Sequence, residues 1–268
     1  VPAKPLADAG ATISYTVRPG DTLYGVARRL LDDRHPWREL QASNRVRNPR
    51  RLQPGSKLQV PVDWLRRENL HAIVVAAEGD ARARTPGAEV SLGPGVLLPP
   101  GTRITTGVPG AVTLRLVDGS TIEVQAATEV ELRRLQRIIE TSTQDDRIDV
   151  TRGRIAVSAR PRTGAGARLE VVAPRAVTGV RGTTFRIGSS NEAGLVEVLA
   201  GGVESRGPGE GSPAATIESG EGAVFDGRGA GAPRIVKLLP APVVPAPSPL
   251  TETPWSLRIA PVEGAQGY

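Results

Sequence analysis

The feature that most constrains this chain is a succession of short apolar runs of period two, recurring from Ala72 to Phe225 and separated by glycines. Val112, Leu114 and Leu116 alternate with polar residues up to Asp118-Gly119, and Ile122 and Val124 resume the alternation beyond it. Alternation of this kind lines one face of a strand with apolar side chains, and an Asp-Gly pair between two such runs favours a tight hairpin or a solenoid corner. Ile148-Asp-Val150, Ile155-Ala-Val157, Leu169-Glu-Val171, Thr184-Phe-Arg-Ile187, Val196-Glu-Val-Leu199 and Ala223-Val-Phe225 repeat the pattern at short spacing. Gly93, Gly95, Gly101, Gly107, Gly110, Gly153, Gly182 and Gly220 punctuate it. The expectation is an all-β domain of many short strands, a β-sandwich or a short β-solenoid. One segment reads two ways: in Glu129 to Glu140, Leu132, Leu135 and Ile139 fit a helix, while Val130 and Leu132 fit a strand. Strand is preferred.

The first 65 residues follow another rule. Ile13-Ser-Tyr-Thr-Val17 alternates as a strand and stops at Pro19-Gly20, where proline fixes its own φ and glycine takes a positive one. Asp21 or Thr22 can cap the helix that follows, whose buried face is Leu23, Val26, Ala27 and Leu30 at the i, i+3, i+4, i+7 spacing. After Asp32-Asp-Arg-His-Pro-Trp37 a second helix is expected from Trp37 to Asn44, with Pro36 placed for its first turn and Trp37 and Leu40 facing inward. A loop from Arg45 ends at the Pro54-Gly55 turn, and Ser56-Lys-Leu-Gln-Val-Pro61 alternates as a closing strand. The order is strand, helix, helix, strand.

Composition removes whole classes of chemistry. The 268 residues hold no cysteine and two histidines, His35 and His71, so thiolate zinc sites, disulfides and Cys/His nucleophile pairs are excluded, and a metal would need carboxylates alone. A net charge of +6 can attract polyanions, but arginines number 31 against three lysines and aromatic residues are only 3% of the chain, so stacking platforms for nucleic acid are nearly absent. An ordinary basic surface is the simpler reading. No apolar run reaches the ~20 residues of a membrane helix, and the chain does not begin with methionine, which fits a trimmed or mature product.

No catalytic constellation stands out. Asp32-Asp33 and Asp145-Asp146 are adjacent acids in what read as polar loops, where both members would stay solvated and ionised. His35, before Pro36, is expected to cap the second helix, and His71 to lie in a linker. Arg181-Gly182-Thr183 lacks the lysine and helix of a phosphate loop and reads as a bulge or corner with Arg181 satisfying nearby carbonyls, and Gly164-Ala-Gly166 reads as a loop.

Two resemblances rest on these residues. Tyr15-Thr-Val-Arg-Pro-Gly-Asp-Thr-Leu23, Leu40 with Asn44, Asn48-Pro49, Leu52-Gln-Pro-Gly55 and Leu58-Gln-Val-Pro61 together resemble a LysM domain, apart from an extended loop from Asp32 to Pro36. Pro99 to Gly107, Ala111 to Thr121, Thr151 to Val157 and above all Val177-Thr-Gly-Val-Arg-Gly-Thr-Thr-Phe-Arg-Ile187 resemble the FecR domain. The organisation expected is a tether over residues 1–11, a LysM module over 12–65, a linker over 66–71, and a FecR-like β domain over 72–227. A Gly/Pro-rich spacer over 228–254 and the start of a further β segment over 255–268 follow, as in a piece cut from a longer protein.

The LysM resemblance implies binding of N-acetylglucosamine-containing glycan, hence peptidoglycan, in a shallow groove. Its walls would be Gly20, Asp21, Thr22, Leu23 and Tyr24 on one side and Asn48, Pro49, Arg50, Arg51 and Leu52 on the other. A sharp turn leaves main-chain N–H and C=O groups outward, an acetamido group needs one donor and one acceptor, and Leu23 or Leu52 would meet its methyl. Arg45, Arg47, Arg50 and Arg51 crowd the neighbouring loop and would attract the carboxylates of stem peptides. The FecR resemblance implies a periplasmic domain that meets another envelope protein. The best-known members receive an iron-transport signal and also carry a membrane helix and a cytoplasmic segment restraining a sigma factor, neither of which is visible here. A non-catalytic protein of the bacterial periplasm or envelope is expected, with no metal or cofactor and no nucleic-acid partner. The alternative is the periplasmic part of a FecR-type signal-transducing regulator.

Overall fold

In the computed structural model, residues 10–240 are described apart from 181, 190–192, 210 and 227–230. Arg181, the proline tract from 241 onward and Trp255 to Ile259 lie outside the described residues.

The leading module forms as its spacing predicts. Strand β1 (Thr12–Thr16) pairs antiparallel with β2 (Lys57–Pro61), with Tyr15 opposite Leu58 and Ile13 opposite Val60. Helix α1 (Leu23–Leu30) begins at Thr22, whose Oγ1 accepts from Gly25 N–H at 3.1 Å, and buries Leu23, Val26, Ala27 and Leu30. Helix α2 (Trp37–Ser43) starts after Pro36, which stands just before the first helical turn, and buries Leu40, with Trp37 packed at the edge of the same core. Asn44 closes α2: its Nδ2 donates to Leu40 O and Gln59 O, and its Oδ1 accepts from Gln59 N–H at 2.7 Å. One side chain thus ends a helix and fixes it to β2. His35 does not cap α2. Its Nδ1 lies 2.9 Å from Glu39 Oε2 and its ring stacks on Trp64 at 5.0 Å, because the extended loop turns the imidazole along the helix flank.

The remaining described strands form one sixteen-stranded hydrogen-bonded network over a single apolar core. A turn at Val62–Trp64 leads into β3 (Arg67–Asn69), followed by β4 (Ala72–Arg84), β5 (Glu89–Val90), β6 (Leu97–Leu98), β7 (Arg103–Arg115) and β8 (Thr121–Val124). Next come β9 (Glu129–Ile138), β10 (Thr143–Ser158), β11 (Arg168–Ala173), β12 (Ala176–Val180) and β13 (Thr184–Ser189). β14 (Ala193–Ala200), β15 (Gly202–Arg206), β16 (Ala214–Glu218), β17 (Glu221–Asp226) and β18 (Arg234–Lys237) complete it. The long strand β10 is the spine. Its first half pairs with β9 and, in parallel, with β11, while its second half pairs with β8 and β13. No helix covers this network among the described residues, so its strands bury apolar side chains against one another, as in an all-β fold.

Glu129 to Ile138 is a strand, and its helix-like spacing has a structural cause. A register shift against β10 between Arg147 and Asp149 displaces the inward phase after Leu132. Leu135 then joins the β-domain core while Ile138 joins the core of the leading module. One strand serves two cores.

That sharing joins the modules. Ile138, fully buried, packs with Val62 and Leu65, and residues 66–71 are not a free connector because β3 pairs with β9. Arg66 N–H donates to Leu30 O at 2.8 Å, Ile139 N–H to Arg66 O at 3.0 Å and Leu70 N–H to Leu135 O at 2.8 Å. Gly166 lies against the same seam with φ +79°, where a Cβ would come within 2.5 Å of Val62 Cγ1 and 2.6 Å of Ile138 Cδ1. Farther on, β18 adds a short edge strand within the stretch expected to be spacer, pairing Ala223 with Ile235.

Candidate functional site

The two bends of the leading module meet through one main-chain bond: Leu23 N–H donates to Pro49 O at 2.8 Å. Gly20 carries the positive φ expected of it, +86°, with nothing within 4 Å of where a Cβ would stand. Asp21 organises the turn from below. Its carboxylate accepts from Tyr15 O–H at 2.6 Å and Arg18 N–H at 2.8 Å, and Arg29 lies 3.6 Å away. Burial alone would push this carboxyl up, but the hydrogen bonds from Tyr15 and Arg18 and the nearby arginines hold it below the usual carboxylate range. Burial, with the bond to Asp21, pushes the Tyr15 phenol up. Asp21 and Tyr15 are therefore a fixed acceptor and donor beneath the turn.

Of the ten groove residues expected from sequence, Gly20, Tyr24, Asn48, Arg50 and Arg51 are exposed, and Asp21, Thr22, Pro49 and Leu52 are partly so. Leu23 is completely buried in the module core. Its side chain is therefore closed to any ligand, whereas Leu52 is partly exposed at the core edge. Tyr24 stands 59% exposed beside the turn. Asn48 Oδ1 accepts from Arg50 N–H at 3.1 Å, and Asn48 O from Arg51 N–H at 3.3 Å, so the second bend is tied internally. The N–H groups of Gly20, Thr22 and Tyr24 have no partner among the described residues. They are the free donors of the site.

Acid chemistry elsewhere differs from expectation. Asp145 and Asp146 are not in a polar loop: both lie on β10 and are 1% and 2% exposed. Arg168 binds Asp145 through Nε at 2.6 Å and Nη2 at 2.9 Å. Arg162 Nη2 lies 2.7 Å from Asp146 Oδ2 and its Nε donates to Asp118 Oδ2 at 2.8 Å. Burial pushes the Asp146 carboxyl up to about 6, against the pull of Arg162. A signal for this was present, since Asp146 is in phase with Ile148 and Val150. Asp32 is partly covered and paired with Arg34, and Asp33 is exposed. Among the described residues no group of three or more His, Cys, Asp or Glu is placed to hold a metal, and no helix is long and apolar enough to cross a membrane.

The family model for the LysM domain matches residues 15–61, and that for FecR protein matches residues 102–204. A LysM module precedes a FecR module. The FecR match runs from the end of the β6–β7 turn into β15, so it spans the β10 spine, and the LysM match begins and ends on the paired strands β1 and β2. Families of both kinds are in general binding or regulatory rather than catalytic, and typical of the bacterial envelope or periplasm. An uncharacterized protein of Deinococcus radiodurans is 39% identical over 54 residues, 20% of this chain and 21% of that protein. Two crystal structures, at 2.50 and 1.65 Å, of a protein described as an anti-sigma factor from Parabacteroides distasonis are similar with a TM-score of 0.41 and 17% identity. They cover 51% of this chain and 59% of theirs. The chain thus spans about a fifth of the length of the curated relative and less than two thirds of the solved ones.

Proposed function

We propose that this is a non-catalytic protein of the bacterial cell envelope that binds peptidoglycan through its LysM module and presents its FecR module to another envelope protein. The supporting observation is the open pair of bends. Gly20, Tyr24, Asn48, Arg50 and Arg51 remain exposed although the LysM module packs on the β domain, and the Leu23–Pro49 bond holds the two walls at a fixed spacing. Free N–H groups at Gly20, Thr22 and Tyr24 supply donors for an acetamido carbonyl, and Leu52 supplies an apolar contact. Arg50 and Arg51 add attraction for acidic stem peptides that salt would screen.

The test is co-sedimentation of the folded chain with purified sacculi. The chain is expected in the pellet, Tyr24→Ala to weaken pelleting several-fold, and Arg50→Glu with Arg51→Glu to weaken it mainly at low salt. A folded chain that stays in the supernatant at every ionic strength overturns the reading.

The FecR match favours a second reading, the periplasmic part of a signal-transducing regulator. A membrane helix and a cytoplasmic segment in the full gene product would be its mark. The binding properties of the LysM module are common to both readings.

A further inference from the structure

The β network does not close on itself. β16 stands at one end of its main path and β18 at the other, and among the described residues β16 pairs with β15 alone and β18 with β17 alone. The two ends differ in what they show to solvent. β16 carries no large exposed apolar side chain, whereas Ile235 on β18 is 41% exposed and Leu239, just past that strand, is 53% exposed. Arg234 and Lys237, at the two ends of β18, are exposed as well and have no ion-pair partner among the described residues.

Main chain and side chains both leave β18 unfinished. Leu238 N–H donates to Gly220 O at 2.8 Å, and the hydrogen-bonding direction alternates along an antiparallel pair. Val236 therefore faces β17, while Ile235 and Lys237 turn both N–H and C=O away from it, with no main-chain partner among the described residues. Residues directly opposite one another share a face of the sheet, and Ile187, Val196, Ala223 and Ile235 form such a row across four strands. The first three are completely buried. This inward row of the core runs out at Ile235, whose side chain stays half-open because no strand follows. A further strand would satisfy the outward main-chain groups and cover the apolar end of the row.

We propose that the free edge of β18 takes up an extended acidic segment of a partner protein as an added antiparallel strand. This rests on the reading that the FecR module meets another envelope protein, and gives that meeting a surface and a chemistry. Strand addition draws affinity from main-chain hydrogen bonds and selectivity from alternate side chains. Ile235 asks for an apolar residue opposite it, and Lys237 and Arg234, one on each face of the sheet, ask for carboxylates. The complementary order is Glu-Val-Ile-Glu. A second copy of β18 fits less well: centred on Lys237 it sets lysine against lysine, and centred on Val236 it offers neither cation a carboxylate. Residues 241–268 hold only Glu252 and Glu263 as acids, too far apart in sequence to supply the pattern.

The experiment titrates the ¹⁵N-labelled full chain with acetyl-Thr-Glu-Val-Ile-Glu-Thr-amide. Shifts and slowed hydrogen exchange are expected at the amides of Ile235 and Lys237, weakening as salt is added. N-methylation of the peptide's isoleucine, whose N–H faces β18, should abolish binding, and N-methylation of its valine, whose N–H faces away, should spare it. A peptide with lysine in place of both glutamates should bind several-fold more weakly. So should the acidic peptide with the Arg234→Gln, Lys237→Gln chain, which loses only exposed, unpaired charges and should fold normally. No change at Ile235 and Lys237, or equal binding by the two N-methyl forms or by the acidic and basic peptides, would overturn the proposal. Slow exchange of those amides in the free chain would also overturn it, marking an edge covered by the chain's own residues or, where it grows with concentration, by a second copy. An envelope protein held equally by the parent and the doubly neutral variant would put the partner elsewhere on the FecR module, removing the edge but not the wider reading.

Discussion

Asp146 shows how one residue can set a pH response. Burial raises its carboxyl to about 6 in the folded chain, against 3.8 when exposed, so between these values the folded state holds a proton that the unfolded state has released. Its contribution to stability is fully present below pH 3.8 and is lost as pH rises through about 6. Asp146→Asn removes that response. The stability of the parent chain relative to this variant should therefore improve by about 2 kcal/mol from pH 7 to pH 4.5, measured by urea unfolding at each pH. A difference that does not vary with pH would mean that Arg162 keeps the carboxylate ionised throughout. The same residue marks a limit of legibility: two adjacent acids resemble a solvated loop, and only their phase with Ile148 and Val150 indicates that one faces inward, while the partners Arg162 and Arg168 come from a separate segment.

At the scale of elements, local pattern carried most of the fold. β1, α1, α2 and β2 follow from a turn, a cap and two apolar periodicities within some fifty residues, because each of these is a short-range effect. β3 and β18 were not legible: β3 is three polar residues, β18 is four residues with one apolar side chain on each face, and both are strands only through the neighbours β9 and β17. The mixed signal of β9 came from serving two cores. In the groove, the open turn at Gly20 was readable, and so was the burial of Leu23 on the apolar face of α1, which is incompatible with a ligand contact by the same side chain. The seam at Gly166 yields a sharp expectation. Gly166→Ala adds a methyl group where Val62 and Ile138 already stand and where φ is +79°, so it should cost about 1–3 kcal/mol in thermal or urea unfolding. Gly87→Ala, with open space around it, is the control and should change stability by less than about 0.5 kcal/mol.

For the whole molecule the shared core has the largest effect. Ile138, fully buried, belongs to the LysM core although it lies on a strand of the β domain, and Arg66 and Ile139 continue the hydrogen bonding between them. A fragment of residues 10–65 exposes Val62 and Leu65 and loses Ile138, so it should unfold at lower urea than the same residues do in the intact chain, by about 2–4 kcal/mol. Hydrogen exchange at Leu30 and Leu40 in fragment and intact chain measures the difference directly; equal protection would show two independent folding units.

The β3–β9 pairing also has a mechanical meaning. It leaves no slack between the leading module and the strand that neighbours the β10 spine. The orientation of the first module therefore sets the heading of the β body, and a force applied to that module would arrive at β9 and β10 as strain rather than being absorbed by a loose tether.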